Sequence, residues 1–214
     1  MKPLTAKRTT VNNALEDHAF LLLLETPAAN TSDWVFDEVD YALSHTMGIL
    51  IVSWPGEPVP VPGSHGLPRL ELSADDLVTD AHGFDTLTEP ALDRVIAEVE
   101  ASHARGLSRR RRMLLGSIEE AARAAGADCV PLRGWRLLVS QRNKSTMVAT
   151  TPRLPTARDL QMLDEAVRAE PGDLAPLLVH SARVLDPRLK EHLGWVAGDR
   201  NLTVMPENAI GAWW

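Results

Sequence analysis

The stretch HAFLLLLETPAANTSDWVFDEVDYALSHTMGILIVSW, residues 18–54, carries the clearest structural pattern in this chain. It begins and ends with short apolar runs, HAFLLLLET and GILIVSW, each of which is bounded by turn-forming residues. Continuous apolar runs of this length are typical of parallel strands that are buried on both faces of a sheet. Because the residues between the runs keep helical spacing, the stretch predicts a strand, a crossover helix and a second strand.

The predicted crossover helix has recognisable ends. Ser32 or Asp33 is a suitable N-cap, because its side-chain oxygen can accept a hydrogen bond from a backbone N–H group of the first turn. Gly48 is a suitable C-cap, because glycine adopts the left-handed conformation at little cost. We therefore expect the helix to stop at Gly48, directly before the second strand.

The segment after this unit predicts a loop and two helices. Residues 55–68, PGEPVPVPGSHGLP, contain five prolines and three glycines, so they are expected to form a surface loop. Residues 90–102 and 108–125 have the spacing of amphipathic helices. Ser108 is a suitable N-cap for the second helix, and Gly106 is expected to separate the two helices.

The C-terminal part predicts a second α/β unit. From Asp128 onward, strand-like runs alternate with helices in this order: WRLLVSQ, TMVATT, a helix over residues 156–169, APLLVHSA, a helix over residues 187–197, and LTVMPE. This order predicts parallel pairing in a βαβαβ unit. We therefore predict an α/β fold with a mostly parallel sheet, flanking helices and a flavodoxin-like first half. The expected domains are residues 1–104 and 105–214, with one shared sheet as the alternative.

Composition excludes several classes of protein. Of the 214 residues, 44% are hydrophobic and 24% are charged, which is typical of a globular chain. The net charge of -7 argues against general nucleic-acid binding, because phosphate neutralisation requires a cationic surface. The apolar run Phe20 to Leu24 is far shorter than the roughly 20 residues that span a membrane. Cys129 is the single cysteine and no signal-peptide pattern is present, so we expect a cytoplasmic protein.

One face of the predicted crossover helix raises a question of chemistry. Helical spacing places four residues in one stripe: Trp34, Glu38, Tyr41 and His45. The neighbouring stripe is apolar and is expected to pack on the sheet: Val35, Val39, Ala42 and Leu43. Partial burial raises the pKa of a carboxylate and strengthens its attraction for developing positive charge, which suits glycosidic-bond cleavage. A glutamate at the rim of a surface helix is usually a structural residue, and from the pattern alone both interpretations stay open.

The segment WVFDE, residues 34–38, carries a resemblance to a known family. Its position between two strand-like runs resembles the second half of a TIR (Toll/interleukin-1 receptor) domain of the bacterial type. In that family a W-V-x-x-E segment opens the helix before a strand usually written I-(I/L)-P-V, and GILIVSW takes the place of that strand here. The resemblance covers roughly residues 8–56.

The resemblance implies a function. In enzymatic TIR domains the glutamate of this segment catalyses cleavage of the bond between nicotinamide and ribose in NAD+. By resemblance, Glu38 is the catalytic residue, and Trp34 and Tyr41 bind the substrate. The implied protein is an NAD+ glycohydrolase or cyclase of signalling or anti-phage defence, which uses NAD+ as substrate, needs no further cofactor and completes its site as a homo-oligomer.

The resemblance also implies that part of the domain lies elsewhere. A TIR domain has a further strand, helix and strand before this point. Those elements would belong to a longer natural protein, or would be supplied by the C-terminal half or by a partner. The alternative function is a non-catalytic TIR-like scaffold whose C-terminal half binds a partner or a nucleotide.

Other residues are weaker candidates for ligand contacts. Arg109–Arg112 place four guanidinium groups at a predicted helix start, where the helix dipole disfavours them unless an anion is near. The ends of the C-terminal strands carry polar residues: Thr150, Thr151, Arg153, His180, Ser181 and Arg183. The sequence contains neither metal-ligand spacing nor a glycine-rich dinucleotide motif. A third interpretation, a nucleotide enzyme centred on the C-terminal half, therefore requires a ligand near Thr151 and His180.

Overall fold

The computed structural model describes residues 18–26, 28–56, 59–181, 185–198 and 201–213. The predicted α/β class is confirmed, because parallel and mixed sheets alternate with helices along the chain. The chain divides into two compact units at Ser108. No helix within the described ranges is long and apolar enough to cross a membrane.

The first unit is built on a parallel sheet of three strands. Their order is β1 (Phe20–Glu25), β2 (Gly48–Ser53) and β3 (Arg69–Glu71). Helix α1 (Asp33–Ser44) connects β1 to β2, so the predicted strand, helix and strand are present. The proline-rich segment leads as a loop into β3. A short antiparallel hairpin then follows: β4 (Leu77–Thr79) and β5 (Asp85–Leu87).

Helix α1 ends earlier than the sequence predicts. Its C-cap is His45 rather than Gly48. Thr46 adopts a left-handed conformation with a φ of 53°, and the Met47 N–H donates to the carbonyl oxygen of Ala42 at 2.9 Å. The last turn is thus closed without glycine, because a threonine accepts the conformation that glycine usually supplies. Gly48 is instead the first residue of β2.

A single helix replaces the two that the sequence predicts. Helix α2 (Glu89–Ala124) has 36 residues, which corresponds to a length of about 54 Å at 1.5 Å per residue. Gly106 does not interrupt it, because one glycine inside a helix costs only about 1 kcal/mol relative to alanine. Ser108 is therefore not an N-cap. Arg109–Arg112 lie inside the helix, so the predicted conflict with the helix dipole does not arise.

Apolar clusters lie on both faces of the first sheet. One of them packs against α1: Leu23, Ala29, Val39, Ala42, Met47, Ile49, Ile51 and Val61. The second cluster consists of Leu50, Val52 and Leu72, and the residues packed against it include Val95 and Val99 of α2. Leu43 does not pack on the sheet as the sequence predicts. It is 40% exposed, because it lies at the rim of α1 rather than over the sheet.

The second unit contains a mixed sheet of five strands. Its spatial order is β10-β9-β8-β7-β6. The strands are β6 (Asp128–Leu132), β7 (Arg136–Gln141), β8 (Lys144–Thr151), β9 (Leu174–His180) and β10 (Thr203–Pro206). The last three are parallel and are connected by α3 (Ala157–Ala169) and α4 (Pro187–Ala197). This part matches the predicted βαβαβ unit.

The first strands of this sheet correct the prediction of parallel pairing. β6 pairs with β7, and β7 with β8, in antiparallel register. Arg142 and Asn143 are the two residues between β7 and β8, and their φ values are 47° and 65°. Two residues at positive φ form a tight hairpin turn, whereas a parallel connection needs a dozen residues or more. The chain therefore turns back directly.

Candidate functional site

Helix α1 carries the residues that the sequence predicts to be functional. Trp34, Glu38 and Tyr41 all lie within it, and each is half-buried. Trp34 and Glu38 are one turn apart, which brings their β-carbons to about 5–6 Å. His45 follows the helix end, and its ring stacks on that of Tyr41 with centroids 3.9 Å apart. The predicted stripe thus divides into a tryptophan and glutamate pair and a tyrosine and histidine stack.

Glu38 is held in a partly dry environment. Burial raises the pKa of its carboxyl above the usual value. No ion pair or hydrogen bond to this carboxylate occurs in the part of the chain that the structure describes. Asp40, on the same helix, is exposed. A partly desolvated carboxylate attracts a nearby positive charge more strongly than a fully exposed one does.

A second acidic residue, which the sequence analysis does not single out, lies at the carboxyl edge of the first sheet. Glu25 is the last residue of β1, and its side chain is fully buried. Arg69, the first residue of β3, donates to Glu25 Oε2 and forms an ion pair with it. The hydroxyl of Ser53, the last residue of β2, donates to the same oxygen at 3.0 Å. The Val61 N–H donates to Oε1 at 3.1 Å. Every strand of the sheet thus supplies one member of this group.

These contacts keep Glu25 ionised. Burial by itself raises the pKa of its carboxyl, but the Arg69 guanidinium, the Val61 amide and the Ser53 hydroxyl outweigh burial, and the pKa is lowered. Removing one partner of a buried ion pair usually costs about 3–5 kcal/mol. The group therefore stabilises the edge of the sheet. The one signal in the sequence is a glutamate that ends an otherwise apolar strand, FLLLLE.

A cleft of about 630 Å³ opens at this edge. Its polar walls are formed by Glu25, Ser53, Ser64, His65, Arg69 and Glu71. Trp54, Leu72 and prolines of the loop supply apolar surface. Open α/β sheets commonly bind ligands outside the carboxyl ends of their strands, and this volume is typical of ligand pockets. Glu38 is not among the residues that line this cleft.

The predicted ligand contacts of the second unit are mainly buried or have partners within the protein. Thr150 and Thr151 are buried at the end of β8, and His180 is buried at the end of β9. Arg153 points to Asp159, with Nη2 and Oδ1 3.5 Å apart. Asp159 itself belongs to the capping box at the start of α3, where its carboxylate accepts from the backbone N–H of Thr156. Ser181 donates its backbone N–H to the carbonyl of Thr151. Arg183 lies outside the described residues.

The arginine run also has contacts within its own unit. Arg110 forms an ion pair with Glu207, with Nη2 and Oε2 2.6 Å apart. Ser117 donates a further hydrogen bond to Glu207 at 3.5 Å. These contacts tie α2 to the short 3-10 helix that contains Glu207. They account for one guanidinium of the run without an external anion.

Comparison with known proteins adds no assignment. No protein family, curated protein or solved structure matches this chain. Among the described residues, no group of three or more His, Cys, Asp or Glu side chains is arranged to hold a metal ion. The candidate sites of the first unit are therefore Glu38 on α1 and the cleft at the carboxyl edge of the sheet.

Proposed function

We propose that this chain carries part of a TIR-type NAD+ glycohydrolase with Glu38 as its catalytic residue. The observation that carries the proposal is the environment of Glu38. Its carboxyl is half-buried, has a raised pKa and has no charged partner in the described part of the chain. The helix that holds it is the crossover between two parallel strands, as the resemblance of the WVFDE segment requires.

The proposed reaction breaks the bond between C1′ of the ribose and N1 of nicotinamide. The bonding electrons leave with nicotinamide, and positive charge develops on the ribose as an oxocarbenium-like species. Water adds to C1′ and loses a proton, so NAD+ and water give nicotinamide, ADP-ribose and one proton. In a cyclase, a nitrogen of the adenine replaces the water.

Glu38 contributes to this reaction through charge. An ionised carboxylate in a partly desolvated site attracts the developing positive charge more strongly than it would in water. Burial raises the pKa of this carboxyl, and the proposed role requires its ionised form. In this proposal the nicotinamide ring packs against the indole of Trp34, which is one turn away on the same helix.

The decisive experiment compares two substitutions on one helix. Glu38→Gln removes the half-buried carboxylate, and Asp40→Asn removes an exposed one with the same change of net charge. Full-length protein and both variants are incubated with NAD+ at concentrations that permit assembly, and nicotinamide release is followed by chromatography. We expect release by the parent protein and by Asp40→Asn, and at least about a hundredfold slower release by Glu38→Gln. Equal release by all three proteins would exclude Glu38 as the catalyst.

A specific observation favours a second candidate function, a non-catalytic interaction module. Leu22 and Leu24 of β1 are 40% and 51% exposed. Within the described residues, β1 pairs with β2 alone and is the edge strand of its sheet. Exposed leucines on an edge strand are typical of surfaces that pair with another chain. The same surface supports the proposal that the protein is a homo-oligomer.

The two functions predict different outcomes in the NAD+ assay. Leu22→Lys and Leu24→Lys together place charges on the exposed edge of β1. If assembly completes the catalytic site, both the oligomer and nicotinamide release are lost, and sizing chromatography and the NAD+ assay show this in parallel. A folded, assembled parent protein that never releases nicotinamide supports the interaction module. For either function we propose a cytoplasmic location. A free thiol such as that of Cys129 stays reduced there, and NAD+ is present.

A further inference from the structure

We propose that the cleft at the carboxyl edge of the first sheet binds a nucleotide through its phosphate, with Arg69 as the anchor. The inference does not rest on NAD+ cleavage by Glu38, which is not among the residues that line this cleft. It rests on an arginine held in place from one side, on hydrogen-bond donors around it, and on apolar surface next to them.

The ion pair with Glu25 fixes the orientation of the Arg69 guanidinium in addition to balancing its charge. Nη1 of Arg69 faces Glu25, which is fully buried, whereas the Arg69 side chain is 23% exposed and lines the cleft. Nη2 lies 3.4 Å from the hydroxyl oxygen of Ser64. The planar guanidinium is therefore fixed on its inner edge. An arginine that is fixed in this way presents its outer donors to a phosphate with little loss of conformational entropy.

Donors from the loop lie beside the guanidinium. Ser64 is almost completely buried and accepts from Arg69, so its hydroxyl proton can be donated to a ligand, and it finds no acceptor among the described residues. Ser64 lies in a succession of tight turns. Its N–H donates to the carbonyl of Val61, and its carbonyl accepts from Leu67. The backbone N–H groups of His65 and Gly66 lie within these turns and donate to no acceptor in the described part of the chain. Turns that leave successive N–H groups free form concave anion sites.

The remaining surface of the cleft indicates what the phosphate is attached to. Trp54, which is half-buried, lines the cleft together with Leu72 and loop prolines. An indole face can stack on any nucleobase, because every base has a π-face. Glu71 also lines the cleft and is exposed. Its negative charge opposes anion binding, so the site fits a ligand with one phosphate better than a highly charged one.

Calorimetric titration of the full chain tests this inference. The probes are AMP, inorganic phosphate, adenosine and acetate. We expect AMP to bind most tightly, inorganic phosphate more weakly, and adenosine at least about tenfold more weakly than AMP because it lacks the anion. Acetate binding as tight as that of phosphate would overturn the phosphate assignment, because the site would then be a general carboxylate site.

Variants of the cleft complete the test. Arg69→Lys keeps the positive charge but loses the paired N–H donors of the planar guanidinium, and should weaken AMP binding about tenfold. Ser64→Ala keeps the ion pair and should weaken AMP binding by about threefold to tenfold. This variant tests the proposal even if Arg69→Lys does not fold. Glu71→Gln should tighten AMP binding by about twofold to threefold. Arg105→Lys changes an exposed arginine of α2 outside the cleft and serves as the matched control.

The outcomes separate this inference from the proposed function. AMP binding that is unchanged in folded Ser64→Ala and Arg69→Lys would overturn it, as would the absence of AMP binding at millimolar concentration. Glu38→Gln should bind AMP as the parent protein does. A protein that binds AMP and never releases nicotinamide would refute the glycohydrolase while supporting the cleft.

Discussion

Gly106 of α2 and Gly48 of β2 touch through their backbones. A methyl group on Gly106 would lie 2.8 Å from the Cα of Gly48 and 3.1 Å from its nitrogen. The same nitrogen donates a hydrogen bond to the carbonyl of Ala19 at 2.9 Å, so it cannot move away without loss. The helix thus crosses the start of the strand at a distance that only two glycines permit.

This contact predicts opposite effects for two glycines of one helix. Gly106→Ala should destabilise the first unit by about 2 kcal/mol or more, because its methyl group meets main-chain atoms that cannot shift freely. Gly116→Ala should stabilise the protein by about 0.5–1 kcal/mol, because the added methyl group meets nothing within 4 Å and alanine favours the helix. Thermal unfolding followed by circular dichroism measures both changes. A Gly106→Ala protein as stable as the parent would show that the backbones are further apart in solution.

The Glu25 ion pair predicts a loss of stability in acid. The pKa of Glu25 is lowered in the folded state, so the folded protein holds its proton less tightly than the unfolded chain does. Its contribution is therefore complete above the unfolded pKa of about 4.3 and is lost as the pH falls through the lower folded value. Glu25→Gln should cost about 3 kcal/mol at pH 7, since Arg69 then lacks its partner. Urea unfolding of both proteins at pH 7 and pH 3 should show the difference shrinking in acid.

Glu38 predicts the reverse dependence on pH. Burial raises the pKa of its carboxyl in the folded state, so ionisation lowers stability as the pH rises from about 4.3 through the folded value. Glu38→Gln should therefore be slightly more stable than the parent at pH 7, by about 0.5 kcal/mol or less, and equal to it in acid. Asp40→Asn, at an exposed position, should show no such gain. Lower stability of Glu38→Gln at pH 7 would indicate that the carboxylate has a favourable partner in solution.

Thr151 allows a test of the carboxyl edge in the second unit. Its hydroxyl is buried and makes no hydrogen bond within the described ranges. Thr151→Val keeps the shape and removes the unsatisfied oxygen, so it should stabilise the protein by about 1 kcal/mol. Thr156→Val is the matched control and should destabilise by a similar amount, because the Thr156 hydroxyl accepts from the Asp159 N–H at the start of α3. Loss of stability in Thr151→Val would mean that the hydroxyl binds water or a ligand, as the third interpretation requires.

The sequence predicts most elements of the fold because their signals are local. The apolar runs of β1 and β2 and the capping box of α3 each depend on residues close together in the chain. The continuity of α2 could not be predicted, because Gly106 breaks a helix in some surroundings and in others permits close packing. Here the partner is Gly48, 58 positions earlier, which no local pattern connects to it.

The candidate site shows the same limit. The stripe that contains Trp34 and Glu38 follows directly from helical spacing, and the structure places it on one helix as expected. The partial burial of Glu38 follows from its position at the rim. The group around Glu25 could not be derived in this way, because its partner Arg69 is 44 residues away and the register of β3 decides the pairing. An acidic residue at the end of a buried strand is a useful signal that a distant cation is required.

The long separation between these two charged residues limits how the chain can be shortened. A fragment that stops before Arg69 would retain both long strands and α1, yet it would trap a carboxylate in an apolar interior without its cation. Such a fragment is expected to aggregate or to be degraded rather than to fold as a smaller domain. Truncation boundaries for expression, or for fusion of this unit to another protein, should therefore be set beyond Glu71.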